Sequence, residues 1–128
     1  MENVAFLPWS PLGGGLLSGK YANGQIPEGS RWSMVQRNGL FRDTEQVHAA
    51  VAAYQSIAER YGMSPAQLAL RWCDSIDGVT STIIGATSML QLTDNLTAFQ
   101  ASSAVDKPLE EDIAKEVLAV LKQYPIPF

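Results

Sequence analysis

Two short apolar runs, each followed by a glycine-containing turn, constrain the fold of this chain more than any other feature. Residues 4–7 are apolar at every position, and residues 79–84 are rich in β-branched side chains. A run without alternation is typical of a strand buried on both faces, as in a parallel sheet. Helical patterns separate and follow the runs, so the sequence predicts an α/β fold built from βα units.

Four amphipathic patterns predict four helices. The first covers residues 44–61, and Gly62 suits the left-handed position after it. Ser64-Pro65-Ala66-Gln67 and Ser88-Met89-Leu90-Gln91 are capping boxes that begin the second and third helices. The fourth helix lies near residues 109–122. We predict that the four apolar stripes are buried, including Tyr54 and Tyr61; Ala69, Trp72, Cys73 and Ile76; Met89, Leu92, Leu96 and Phe99; and Ile113, Val117, Val120 and Leu121.

Two parallel strands are too few for a stable sheet, because their outer edges need neighbours. Either a partner chain completes the sheet, or the chain is a piece of a larger α/β protein. We therefore predict a dimer or larger homo-oligomer formed through the exposed strand edges. Residues 21–42 contain many turn-forming residues, and we expect part of this long loop to be disordered if the chain folds alone.

Composition excludes several classes of function. Nine basic and thirteen acidic residues give a net charge of −4, which argues against nucleic acid or an anionic membrane as partner. A single cysteine, Cys73, and a single histidine, His48, exclude a disulfide framework and an ordinary zinc site, so we predict no metal. No apolar run reaches the ~20 residues of a membrane span. These features predict a cytoplasmic protein.

The turn after each apolar run has features that suit an anion. Ser10 and the glycines at 13–15 let the backbone approach a ligand closely, and Lys20 follows as a cation. After the second run, residues 85–88 lead into a helix N-terminus, which favours phosphate. Taken alone, either turn is ordinary structure. The spacing from Gly14 to Lys20 fits a P-loop, but Tyr21 replaces the required hydroxyl residue, so we reject a nucleotide triphosphatase.

Four motifs in order give the chain a resemblance to a known family. WSPLGGGLLSGKY at 9–21, PEGSR at 27–31, TIIGATS at 82–88 and QLTDNL at 91–96 resemble the aldo-keto reductase superfamily. The branch with the voltage-gated potassium channel β-subunits and their bacterial relatives is the most similar. The resemblance implies a TIM (β/α)8 barrel that binds NADPH without a Rossmann fold. Residues 1–128 would then be a partial domain, from strand seven to the C-terminus, with strand eight at 79–84.

The resemblance also implies which residues bind the cofactor. The loop after strand seven would lie along the nicotinamide ribose and pyrophosphate, and the segment after strand eight would hold the 2′-phosphate and adenine. Gln91 stands where many relatives have arginine, which weakens the preference for NADP over NAD. The implied cofactor-binding residues are Trp9, Ser10, Pro11, Leu12, Gly13, Gly15, Lys20, Arg31, Gly85, Thr87, Gln91, Asp94 and Asn95.

The family's catalytic tyrosine, lysine, aspartate and histidine lie on earlier strands, so we predict no catalytic residue in this chain. The leading hypothesis is the cofactor-binding, C-terminal portion of an NADP-dependent aldo-keto reductase that reduces a small carbonyl substrate. We expect the isolated chain to be inactive, and its retention of NADPH is an open question. The alternative is a non-catalytic nucleotide-binding or protein-interaction module. A third hypothesis is a helical remnant that binds no ligand.

Overall fold

The computed structural model describes residues 4–34, 44–102 and 109–125. All four predicted helices are present: α1 (Glu45–Arg60), α2 (Pro65–Asp74), α3 (Met89–Ser102) and α4 (Glu111–Gln123). Three short 3-10 turns precede them, at Gly13–Ser18, Ala22–Gly24 and Arg31–Ser33. Within the described ranges, no helix has the length and apolarity needed to cross a membrane.

Local capping explains why α1 and α2 begin and end where the sequence predicts. Gly62 has a φ of +65°, and the N–H of Met63 donates to the carbonyl of Ala58 at 2.9 Å, which closes α1 with a Schellman motif. Ser64 then caps α2 and forms the complete capping box with Gln67. The two helices are therefore joined by a short connection in which the N–H groups of Gly62, Met63 and Ser64 all donate hydrogen bonds.

The two predicted strands are confirmed only in their parallel pairing. Phe6 and Val79 form one parallel bridge, and the N–H groups of Thr80 and Ile83 donate to the carbonyls of Phe6 and Pro8 at 2.9 and 3.0 Å. In a regular parallel ladder, residue 8 would donate its N–H to the carbonyl of Thr80, but proline has no N–H. Regular strands at 4–7 and 79–84 are thus a wrong prediction, because the ladder is interrupted after a single bridge.

Helices supply most of the described core, in two clusters. One joins α1, α2 and α4, and the other packs the 3-10 turns against the N-terminal half of α1. The first cluster contains the buried residues Ile57, Ala58, Leu68, Leu109, Ile113 and Val117, and the second contains Leu16, Tyr21, Trp32, Val47 and Val51.

Two predicted apolar stripes are not the buried faces of their helices. In α2 the buried residues are Ala66, Leu68 and Leu70, whereas Ala69, Trp72 and Cys73 are half-buried and Ile76 is exposed. In α3 the buried residues are Asn95 and Ala98, whereas Met89 and Leu96 are exposed and Leu92 and Phe99 are half-buried. The reason is tertiary: α3 packs closely on α2 through its small and polar face. The apolar side of α3 is therefore left partly exposed.

Tyr61 and Leu121, both predicted to be buried, are instead exposed. Tyr61 connects α1 to α4. Its hydroxyl donates to Oε1 of Glu116 at 2.8 Å, and Arg60 pairs with the same carboxylate. The hydrogen bond to Glu116 is the main cause that raises the pKa of Tyr61 above 10.0, followed by partial desolvation and the charges of Glu116 and Asp112. The stability that the protonated Tyr61 hydroxyl contributes to the folded protein is therefore fully present below the unfolded-state pKa of tyrosine. It is lost as the pH rises through the higher pKa of the folded state.

We expect Tyr61→Phe to reduce the loss of stability at alkaline pH. The substitution removes a hydroxyl that the folded protein holds protonated more strongly than the unfolded chain does. Urea unfolding of the wild type and the variant, at neutral pH and above pH 10, measures the difference. Tyr124→Phe, which does not touch Glu116, serves as the control. An alkaline loss of the same size in wild type and Tyr61→Phe would contradict the assignment.

Candidate functional site

The loop after the first apolar segment owes its shape to left-handed backbone conformations. Gly13, Gly14 and Gly15 have φ of +54°, +66° and +101°, and Ser10 has +56°. Side chains with a Cβ rarely adopt such angles, so three consecutive glycines permit a tight turn here. The predicted residues Ser10, Leu12, Gly13 and Gly15 therefore lie together in one loop, with Trp9 exposed at its start.

Lys20 lies directly against Gly15. A Cβ placed on Gly15 would be 2.5 Å from Cε and 2.8 Å from Nζ of Lys20. The Lys20 ammonium also lies 5.1 Å from the centre of the Tyr21 ring, within the range of a cation–π interaction. The missing side chain of Gly15 thus creates the space that holds a positive charge beside the loop.

A stacked aromatic pair joins Tyr21, next to Lys20, to the turn that contains Arg31. The rings of Tyr21 and Trp32 are 4.6 Å apart and nearly parallel, both side chains are buried, and the Tyr21 hydroxyl accepts from the Trp32 N–H at 3.3 Å. Arg31 directly precedes Trp32 in the chain and is exposed. Residues 21–34 of the loop that was predicted to be partly disordered therefore have a defined structure, residues 35–42 lie outside the described ranges, and the expectation of partial disorder stays a prediction.

Two backbone N–H groups of this loop that were predicted to approach an anion donate within the turn instead. The N–H of Gly13 donates to the carbonyl of Ser10, and that of Gly15 to the carbonyl of Leu12, both at 2.9 Å. These two donors stabilise the turn itself. A ligand could therefore approach the backbone of this loop closely and lie near the Lys20 charge, but the N–H groups of Gly13 and Gly15 are already used within the turn.

The turn before α3 is closed by Gln91. Its Oε1 accepts from the N–H and the hydroxyl of Thr87 at 2.9 and 3.1 Å, while its own N–H donates to Oγ of Ser88 at 3.2 Å. The Ser88 cap is confirmed, but Gln91 bonds to Thr87 and not to Ser88 as a capping box requires. Gly85 has an ordinary φ and open space around it, so neither factor requires glycine there.

The two turns leave the same end of the bridged pair. Segments 4–8 and 79–83 run parallel and are hydrogen-bonded as far as Pro8 and Ile83. The chain therefore leaves both segments at the same, carboxyl end of the pair. Each turn borders its own hollow: Ser10, Pro11 and Gly13 line one of about 290 Å³, and Gly85, Thr87 and Ser88 line an open groove of about 490 Å³.

The first hollow is mainly apolar and lies beneath the glycine loop. Its walls come from α1, α2 and α4, and they include the predicted α2 stripe of Ala69, Trp72 and Cys73. Burial, followed by the negative charge of Asp74, raises the pKa of the Cys73 thiol above 9.0. Cys73 is therefore a protonated thiol at neutral pH, and packing is its role in this structure.

Asp94 links α3 to the start of α2, and the neighbouring Asn95 is buried. The Asp94 carboxylate accepts from Oγ of Ser64 and from Nε2 of Gln67, both at 2.8 Å, so both of its oxygens support the cap of α2. Asn95 is 3% exposed. Sequence patterns do not predict this network, because Asp94 lies 30 positions after the helix cap Ser64 and carries no local signal. Cofactor contacts at Asp94 and Asn95 stay predictions.

Positive charge is confined to the first turn. The sequence contains no lysine or arginine between Arg71 and Lys107, so the turn at 85–88 has none of its own. In the described ranges, no group of three His, Cys, Asp or Glu side chains is arranged to hold a metal ion. An anionic ligand of both turns would therefore meet its counter-charges at Lys20 and Arg31.

Comparisons with known proteins identify the family. Residues 1–111 match the sequence model described as "Aldo/keto reductase family". The chain is 40% identical over 126 residues to "Protein tas" of Escherichia coli (strain K12), an alignment that covers 98% of this chain and 34% of that protein. It is 35% identical over 119 residues to the "Probable voltage-gated potassium channel subunit beta" of Oryza sativa subsp. japonica, with 91% and 35% covered.

The chain belongs to the aldo/keto reductase family, as its motifs indicate. The corresponding Arabidopsis thaliana potassium channel subunit is 37% identical over 99 residues, with 76% of this chain and 30% of that protein covered. The chain thus spans about a third of the length of the curated relatives that it matches. The family implies a TIM barrel, of which the described residues contain helices and one parallel bridge.

Proposed function

We propose that this chain forms part of the binding surface for NADPH in an aldo-keto reductase. The observation that carries the proposal is the Gly15–Lys20 contact, in which a missing side chain makes room for an ammonium group next to the turn. The second support is the parallel bridge, because both turns follow the carboxyl ends of the paired segments. Ligands of α/β proteins bind just outside the carboxyl ends of the strands.

In this proposal the residues would contact three parts of an extended dinucleotide. Trp9 and the loop at 10–15 would lie along the nicotinamide ribose and pyrophosphate, with Lys20 and Arg31 as counter-charges. The turn at 85–88 and Gln91 would contact the adenosine. A 2′-phosphate carries nearly two negative charges and needs a cation. Since Gln91 is neutral, Lys20 and Arg31 are the candidates to provide it.

The reaction of the complete enzyme would be reversible hydride transfer between NADPH and an aldehyde or ketone in the cytoplasm. The bound cofactor supplies the hydride chemistry, while the protein orients it. No residue of this chain is proposed to act as the general acid, so we expect no carbonyl reduction by the isolated protein. Aldehyde-dependent oxidation of NADPH by the pure protein would contradict this expectation.

The alternative is a non-catalytic nucleotide-binding or protein-interaction module. The observation that favours it is the similarity to relatives described as potassium channel subunits. Micromolar binding of NADPH without turnover supports the module or the cofactor-binding portion. Failure to bind supports a remnant whose site requires the rest of the barrel.

We expect Lys20→Met to weaken NADPH binding about 10-fold or more, since a hydrogen bond to a charged group contributes about 1.5–3 kcal/mol. A titration that follows NADPH fluorescence measures the dissociation constant. Lys122→Met removes one positive charge at an exposed position in the last turn of α4 and serves as the matched control. Equal weakening by both variants would show only non-specific attraction and would contradict a role of Lys20 in binding NADPH.

A further inference from the structure

The Asp94 carboxylate joins α3 to the start of α2 and has a donor on each of its oxygens. Oδ2 accepts from Oγ of Ser64 and Oδ1 accepts from Nε2 of Gln67, both at 2.8 Å. All three residues are half-buried. Hydrogen bonds to a charged acceptor are stronger than those between neutral groups, and partial burial strengthens them further. The contact therefore links two helices through residues that lie 27 and 30 positions apart.

The capping box of α2 holds both donors in place. Oγ of Ser64 accepts from the Gln67 N–H, and Oε1 of Gln67 accepts from the Ser64 N–H, both at 3.1 Å. The single hydroxyl proton of Ser64 is left for Asp94, and Gln67 donates through Nε2 because its Oε1 is occupied. Two donors that are fixed in this way fix the position of the carboxylate, so the start of α2 is the rigid partner in the contact.

Asp94 lies close to the residue that closes the turn at 85–88. It follows Gln91 by three positions, and residues three apart are neighbours on the surface of a helix. The hydrogen bonds of Gln91 to Thr87 and Ser88 are local to the turn, whereas those of Asp94 reach α2. Holding Asp94 against α2 therefore also determines where Gln91 and the turn lie.

The charge of Asp94 suits a link to α2 better than a contact with a phosphate. The sequence has no lysine or arginine between Arg71 and Lys107, so the turn at 85–88 has no cation of its own. A carboxylate directed at a phosphate group there would repel it. Bonded to Ser64 and Gln67, the same charge is stabilised by two donors instead.

We propose that Asp94 is a positioning residue of the cofactor site. It holds the start of α3 on α2, so that Thr87, Ser88 and Gln91 lie where the adenosine would bind. This role takes the place of the direct contact that the resemblance implies for Asp94. It rests on the proposed function, since the dinucleotide is the ligand that the turn would bind.

Exchanging donor and acceptor tests the proposal on the intact chain. Gln67→Glu keeps an oxygen for the Ser64 N–H, because glutamate also completes a capping box, but it places a second carboxylate against Asp94. Asp94→Asn places an amide donor against Nε2 of Gln67. The double variant Gln67→Glu/Asp94→Asn again pairs one donor with one acceptor, with their positions exchanged. Asp112→Asn removes the same charge from an exposed position in the first turn of α4 and is the matched control.

Hydrogen exchange without ligand measures how firmly α3 is held. The amide of Leu92 donates to the carbonyl of Ser88 in the first turn of α3. We expect it to exchange about 10-fold faster or more in each single variant, since each loses a hydrogen bond to a charged group. The double variant and Asp112→Asn should stay within about 2-fold of the wild type. Circular dichroism verifies that the helices remain. Unchanged exchange in both single variants, or no recovery in the double variant, overturns the proposal.

Titrations with NADPH and with its two halves measure the effect on the site. Both single variants should bind NADPH and adenosine 2′,5′-bisphosphate about 5-fold or more weakly, and the double variant should recover. Reduced nicotinamide mononucleotide should bind all variants alike. Equal weakening for both halves would show a general loosening of the fold, and a double variant that stays weak would show a direct contact by Asp94. Either result overturns the proposal.

The two measurements also separate the role of Asp94 from the proposed function. If the wild type binds NADPH and the single variants bind it equally well, the proposal for Asp94 is overturned and the cofactor-binding surface stands. If the wild type binds neither NADPH nor either half, the isolated chain is the remnant whose site requires the rest of the barrel. The exchange rates then support or overturn the role of Asp94 on their own.

Discussion

Leu16→Ala is expected to lower the free energy of unfolding by about 2–5 kcal/mol, the range for truncating a buried leucine. Leu16 is 1% exposed and packs in the cluster that contains Tyr21, Trp32, Val47 and Val51. It lies in the turn at Gly13–Ser18, so the same cavity also loosens the loop beside Lys20. Urea unfolding followed by circular dichroism measures the change.

Leu118→Ala is the matched control for Leu16→Ala. Leu118 is 41% exposed on α4, and a surface substitution of this kind changes stability by about 0.5 kcal/mol or less. A similar, small effect of both substitutions would show that the cluster around Leu16 is not a packed core. The folding of residues 13–34 onto α1 would then lose its main support.

Gly15→Ala is expected to weaken NADPH binding about 10-fold or more. The φ of +101° strains any residue with a Cβ, and this Cβ would lie 2.5 Å from Cε of Lys20. Because the Lys20 side chain is flexible, the new Cβ displaces it without unfolding the loop. The ammonium group then moves away from the turn. Fluorescence titration measures the affinity, and urea unfolding measures the strain, which we expect at about 1–2 kcal/mol.

Gly24→Ala separates strain from displacement of the lysine. Gly24 also has a left-handed φ, +74°, but a Cβ there meets nothing within 4 Å. We expect a comparable loss of stability and unchanged NADPH affinity. If Gly24→Ala weakened binding as much as Gly15→Ala, strain alone would explain both results. The Gly15–Lys20 contact would then have no role in binding.

The helices could be predicted from sequence because their signals are local. The caps at Ser64 and Ser88 and the left-handed Gly62 act within a few residues of the helix ends, and they are present as expected. The buried faces of α2 and α3 were predicted incorrectly because partners far along the chain decide them. Periodicity identified the apolar side of α3, yet its polar Asn95 side is buried against α2.

Only part of the candidate site was accessible to sequence reasoning. Motif order predicted the glycine loop and the turn before α3, and the family is confirmed. The motifs did not reveal that Gly15 makes room for Lys20, or that Trp32 stacks on Tyr21, since both depend on chain folding between distant residues. Pro8 explains the interrupted ladder in retrospect, because its missing N–H is visible in the sequence.

The most direct test of the central claim is a titration of the isotope-labelled protein with NADPH, followed by the backbone amide resonances of both turns. If one dinucleotide spans the two turns, the amides of Gly13, Gly14 and Gly15 and those of Thr87 and Ser88 shift together and give one dissociation constant. Shifts confined to one turn, or two different dissociation constants, would contradict a shared ligand.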